Sequence, residues 1–178
     1  PTMAPAAITI TAASQSWTYD GAAHKNAGVT VTAGELLPGD SLVATATGSV
    51  TNVGDTANGN NPIADGWKVM RGTQDVTANY AITPVAGTLT ILPKAVTVTA
   101  KSQAFVYPGE AQSSAGYDVE GLVGSDRITA VVEGSITFPS QSPVTNELKS
   151  YAFTSGTPGN YSVTKVNGAL TMTKANEA

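Results

Sequence analysis

Two stretches 88 residues apart carry the same pattern, and this repeat limits what the chain can fold into more than any other feature. ITITAASQSWTYDG (8–21) is echoed by VTVTAKSQAFVYPG (96–109). The match pairs Ile8 with Val96, Ser14 with Ser102, Gln15 with Gln103, Trp17 with Phe105, Tyr19 with Tyr107 and Gly21 with Gly109. A second block, ELLPGDSL (35–42), lies against GLVGSDRI (121–128) and aligns Asp40 with Asp126. A third, NYAITPVAGTLTI (79–91), lies against NYSVTKVNGALTM (160–172), setting Tyr80 and Gly87 against Tyr161 and Gly168. Three blocks in one order define two copies of a module of about 85 residues. The expected domains are 1–93, with its core at 8–92, and 94–178, with its core at 95–174. The offset falls from 88 to 81 along the module, so the second copy has shorter loops, mostly at the expense of residues 43–78.

The repeated blocks read as β-strands. Apolar residues alternate with threonine in ITIT, VTVT and TLTI, which is the period of a strand with one buried face. The 25 threonines suit the solvent side of such strands. Helix signals are poor: the stretch around Glu35–Leu37 is cut at Pro38-Gly39. The expected fold is all-β, as two small antiparallel sandwiches of Ig-like size. The alternative is a β-grasp-like module with Glu35–Gly39 as a stunted helix.

Parity refines this picture. Ile8 and Ile10 are even and Trp17 and Tyr19 are odd; Val96/Val98 and Phe105/Tyr107 switch in the same way. One flat strand cannot bury both pairs on one face. A bulge or break is therefore expected near Ala13–Ser16 and Lys101–Ala104, where the opening strand leaves one sheet for another. In the closing block, Asn167-Gly168 signals a two-residue hairpin turn. Pairing outward from it sets Val163 opposite Met172 and, around Ala86-Gly87, Ile82 opposite Ile91. Pro84 places its strand at a sheet edge. Leu92-Pro93-Lys94 is a short join stiffened by proline.

Composition then excludes several functions. The net charge is −4 with no lysine–arginine cluster, so the chain lacks the basic stripe that nucleic acid needs. No apolar run approaches the 18 residues of a membrane span. Low charge with ample Val, Ile, Leu and Thr argues against disorder. No cysteine is present, which excludes disulfides, Cys-ligated zinc and thiol catalysis but leaves the compartment open. The chain opens at Pro1 without a signal peptide, and we read it as an excised piece of a longer protein.

Tyr19-Asp20-Gly21, Leu36-Leu37-Pro38-Gly39-Asp40 and Asn79 to Ile91, with their counterparts Tyr107-Pro108-Gly109, Gly121 to Asp126 and Asn160 to Met172, resemble the YDG and MBG repeats of bacterial surface proteins. The second copy departs at Pro108, where the family has Asp, so Asp20 is not expected to have a role in both modules. The resemblance implies tandem modules of a large extracellular adhesin-like protein on a cell surface. Such repeats often serve as spacers, with neighbouring repeats of the same chain as partners, in a monomer and without a cofactor.

Side chains that could carry chemistry are few. Trp67 has no counterpart in the second copy and sits in a loop-like Asp65-Gly66-Trp67 near Asn60 and Asn61. These four form the candidate contact set for a host glycan or protein, the second functional reading. Trp17, Tyr19, Gly21, Asp40, Tyr80 and Gly87, with Phe105, Tyr107, Gly109, Asp126, Tyr161 and Gly168, are read as structural repeat positions. Asp40 and Asp126 fit turn-capping carboxylates better than calcium ligands. The Asp- and Asn-rich 55–65 stretch lacks the D-x-D-x-D-G spacing of a calcium loop. Asn79 and Asn160 raise the question of an intramolecular isopeptide bond; Lys101 lies in the right sort of strand for one, but the first copy has Ala13 at that position. His24 is the sole imidazole and no nucleophile motif accompanies it, so no catalytic residue and no metal ligand is assigned.

Overall fold

The computed structural model describes residues 3–176. It divides into two compact units, Pro1–Leu92 and Pro93–Ala178. The first contains β1 (Ala6–Ala12), β2 (Gln15–Thr18), β3 (Val29–Ala33), β4 (Asp40–Val43), β5 (Lys68–Arg71), β6 (Gln74–Asp75), β7 (Tyr80–Val85) and β8 (Leu89–Leu92). The second contains β9 (Lys94–Ala100), β10 (Gln103–Val106), β11 (Tyr117–Glu120), β12 (Arg127–Glu133), β13 (Val144–Ser155), β14 (Tyr161–Val166) and β15 (Gly168–Thr173). Helix among the described residues is limited to single 3-10 turns, such as Val53–Asp55 and Pro139–Gln141. The fold is all-β.

The break expected from the parity switch is present in both units. In the first, β1 lies between β3 and β7, whereas β2 pairs with β8 in another sheet. Ile8, Ile10 and Ala12 are buried. The two isoleucines pack with Val69, Val76 and Tyr80. Trp17 and Tyr19 pack instead on Val50, Leu89 and Ile91. Burying one large apolar side chain is worth about 1.5–3 kcal/mol, so a straight strand that left either pair in water would forfeit several such terms. The second unit repeats the scheme: β9 lies between β11 and β14, and β10 pairs with β15. There Phe105 and Tyr107 pack on Ile136, Leu170 and Met172.

The expected closing hairpin is not formed. β7 pairs with β1 and β8 with β2, both in parallel; β14 and β15 pair in the same way with β9 and β10. The sheets are therefore not all antiparallel as expected, because each unit's opening and closing segments run side by side in one direction. Packing shows the separation: Ile82 packs in the Ile10 cluster, whereas Leu89 and Ile91 pack in the Trp17 cluster. A hairpin would place both sets in one sheet. Glu35–Gly39 forms no helix, ending instead in a turn at Pro38-Gly39 that leads into β4; the helix of the β-grasp alternative is absent there. Pro84 stands on β7, an outer strand of its sheet.

Candidate functional site

The opening and closing segments of the first unit break at the same place. Gly87 lies so close to Ala13 that an added β-carbon would stand 2.1 Å from the Ala13 carbonyl oxygen. Gly168 stands in the same relation to Lys101, at 2.4 Å. These glycines are required by close backbone approach, and neither has positive φ. Gly21 and Gly109 differ: with φ of 80° and 93° they occupy the left-handed region that disfavours other residues.

A buried asparagine fills each crossing. Asn61 is fully buried and exchanges both backbone hydrogen bonds with Gly87. Its Nδ2 donates to the Ala13 and Asn26 carbonyls at 2.8 and 2.9 Å, and its Oδ1 accepts the Gly48 N–H at 2.9 Å. These bonds satisfy backbone groups that the strand break removes from the ladder. Asn146, also fully buried, pairs with Gly168 and donates to the Lys101 and Ser114 carbonyls. No donor among the described residues reaches its Oδ1. Ser14 and Ser102 bridge the remaining gap, accepting the Thr88 and Ala169 N–H groups at 2.9 Å.

Asp40 and Tyr80 form a second shared cluster. The Tyr80 hydroxyl donates to Asp40 Oδ2 at 2.5 Å and accepts the Leu37 N–H at 2.9 Å. Arg71 closes on the same carboxylate with Nε at 2.7 Å and Nη2 at 3.2 Å, and the Asp40 side chain has no solvent exposure. The Arg71 guanidinium, then the Tyr80 hydroxyl, hold the Asp40 carboxyl below its ordinary value. In the second unit the Tyr161 hydroxyl donates to Asp126 and accepts the Val123 N–H. These aspartates bind their own unit's tyrosine, a partnership that turn-capping logic does not anticipate.

Asp20 has a local role in the first unit only. It accepts the Ala22 N–H and pairs with His24 Nε2 at 2.8 Å. The Ala22 amide, then His24, lower its carboxyl. The His24 ring stacks on Trp17 with centroids 4.9 Å apart.

The contact set separates. Trp67 is half-buried and packs against the Ile10 cluster. With Asp65, Val43 and Thr45 it borders a groove of about 170 Å³, small beside the 300–1,000 Å³ typical of ligand pockets. Asn60 bonds the Leu89 backbone through both ends of its amide, and Asn61 is the buried residue of the crossing. Asp65 and Trp67 face the groove and the two asparagines do not. Asp55 accepts the Thr51 and Asn52 N–H groups, which lower its carboxyl, Asn52 first. Lys101 is solvent-facing, 3.7 Å from Asp118. A larger cleft of about 550 Å³ in the second unit is lined by Ser113, Ser114, Glu133 and Glu147, with Lys149 paired to Glu133 at 3.0 Å. Among the described residues no helix is long and apolar enough to cross a membrane.

Asn146 carries no expectation from the sequence, and Asn61 is expected there as a ligand contact rather than a buried bridge, because both lie between the aligned blocks. A weak signal exists: Gly48-Ser49-Val50 recurs as Gly134-Ser135-Ile136, and these glycines back onto the two asparagines.

Residues 96–171 match the family model of the MBG domain, YGX type. The matched stretch runs from β9 into β15, which bears out the resemblance to MBG/YDG-type modules and indicates a surface-protein repeat module. No curated protein and no solved structure matches the chain.

Proposed function

We propose that, as its MBG-type second unit suggests, the chain is a pair of tandem, non-catalytic spacer modules from a large exported adhesin-like protein. One observation carries this reading: the repeated aspartate and serine pairs are engaged inside their own unit in both halves. Asp40 and Asp126 bind Tyr80 and Tyr161, and Ser14 and Ser102 bind Thr88 and Ala169. What the repeat preserves is a frame. The extracellular setting rests on the MBG match, since such domains occur in exported surface proteins. The sandwich reading is supported in both units by consecutive strands passing to different sheets and, in the first, by the separate apolar clusters on which those strands pack.

The second reading, binding of a host glycan or protein, is favoured by the groove that Asp65 and Trp67 border in the first unit. A glycan array and a pull-down with the two-unit chain separate the two. The spacer reading expects no reproducible ligand. Binding that is lost in both Trp67→Ala and Asp65→Ala, with folding retained, would replace it with the second reading.

A further inference from the structure

The first and last strands of each unit carry a consequence for tension. β1 runs parallel to β7 in register from Ala6↔Tyr80 to Thr11↔Val85, and β2 continues beside β8 from Gln15↔Leu89 to Thr18↔Leu92. The chain thus enters the first unit at one end of this ladder, beside Tyr80, and leaves at the other, beside Thr18. The second unit is built alike, from Lys94↔Tyr161 to Thr99↔Val166 and from Gln103↔Leu170 to Val106↔Thr173.

Tension along the chain pulls β1 and β2 backward and β7 and β8 forward, each along its own axis. The strands are then loaded in shear, and the inter-strand hydrogen bonds share the load. Were the terminal strands antiparallel neighbours with both ends on one side, the same tension would peel the pairs singly. A single hydrogen bond contributes little net of its exchange with water, so sequential peeling meets small barriers whereas concerted shear meets their sum. The break in the ladder is itself tied across. The Thr88 N–H donates to Ser14 Oγ, and Asn61 holds both Ala13 and Gly87.

We infer that the parallel terminal strands of each unit are a load-bearing clamp that resists tension applied along the chain. The inference deepens the spacer reading and rests on it only for the direction in which load arrives.

Single-molecule force spectroscopy tests it on the whole chain, which has no native cysteine to compete with introduced handles. Handles at Ala4→Cys and Lys174→Cys load both units in shear. Handles at Ala4→Cys and Ala78→Cys pull from the end where β1 and β7 both begin, and so peel them apart. Ala4, Ala78 and Lys174 are all exposed, and circular dichroism before pulling verifies that each variant is folded. Shear should give two abrupt events, each lengthening the chain by roughly 250–300 Å, at forces several-fold above those of peeling. Equal forces in the two geometries, or gradual extension in shear, would overturn the clamp. That result leaves the spacer reading intact, just as a discovered ligand would leave the force difference intact.

Discussion

The Ala13 carbonyl oxygen occupies the space where a β-carbon on Gly87 would stand, 2.1 Å away. At this point the opening and closing segments of the first unit cross from one sheet to the other together. Asn61 donates to that same oxygen from the third side. The arrangement recurs at Lys101, Gly168 and Asn146.

Replacing either crossing glycine should therefore be costly. Gly87→Ala and Gly168→Ala force backbone apart, and each is expected to destabilise its unit by about 2–4 kcal/mol. Gly54→Ala is the control. Nothing lies within 4 Å of its added carbon, and its effect should stay within about 0.5 kcal/mol. Urea denaturation of the three variants reads the difference.

The two buried asparagines should differ in value. Asn61→Ala leaves two carbonyls and one N–H without their partner, for an expected loss of about 2–4 kcal/mol. Asn146→Ala removes two bonds and also removes an oxygen that had no donor, so its loss should be smaller, about 1–3 kcal/mol. Thermal melts in which Asn146→Ala is the more damaging substitution would contradict the bonding scheme.

Acid should weaken the first unit. Asp20, Asp40, Asp55 and Asp75 are all held below their ordinary 3.8 by the donors that bind them. For Asp75 these are the Thr77 hydroxyl, then the Thr77 amide. A carboxyl lowered in the folded state stabilises it fully above the unfolded value. That stabilisation is lost as pH falls through the lowered values. The first unit's unfolding midpoint should hold from neutral pH to about 4 and drop below it. Asp40→Asn should lower the neutral-pH midpoint and flatten the acid limb. Carboxyl carbon NMR should find Asp40 titrating below 3.8.

Strand identity and the break in the opening strand were legible because both follow from period-two burial: Ile8 and Ile10 cannot share a face with Trp17 and Tyr19. Parity gives no such signal for the closing segment, because a two-residue hairpin would set Ile82 opposite Ile91 on one face equally well. There a local turn signal misled. Asn167-Gly168 resembles a hairpin turn, yet Asn167 uses its side-chain oxygen to accept the Leu148 N–H and Gly168 serves close approach. Parallel pairing of segments some 70 residues apart leaves no local trace at all. The site reading divided in the same way. Trp67 and Asp65 stand out by being unrepeated and do border a groove. The roles of Asn60 and Asn61 depend on backbone brought from Ala13, Asn26 and Leu89, which no spacing along the chain reveals.

Each unit is closed by its own opening and closing segments. Hydrogen exchange followed by NMR on the intact chain measures that closure strand by strand. Amides of β1, β7 and β8, and of β9, β14 and β15, should be among the slowest, exchanging only when the whole unit opens. Rapid exchange there, with protection confined to strands such as β5 and β12, would mean that the termini fray independently and would contradict that closure.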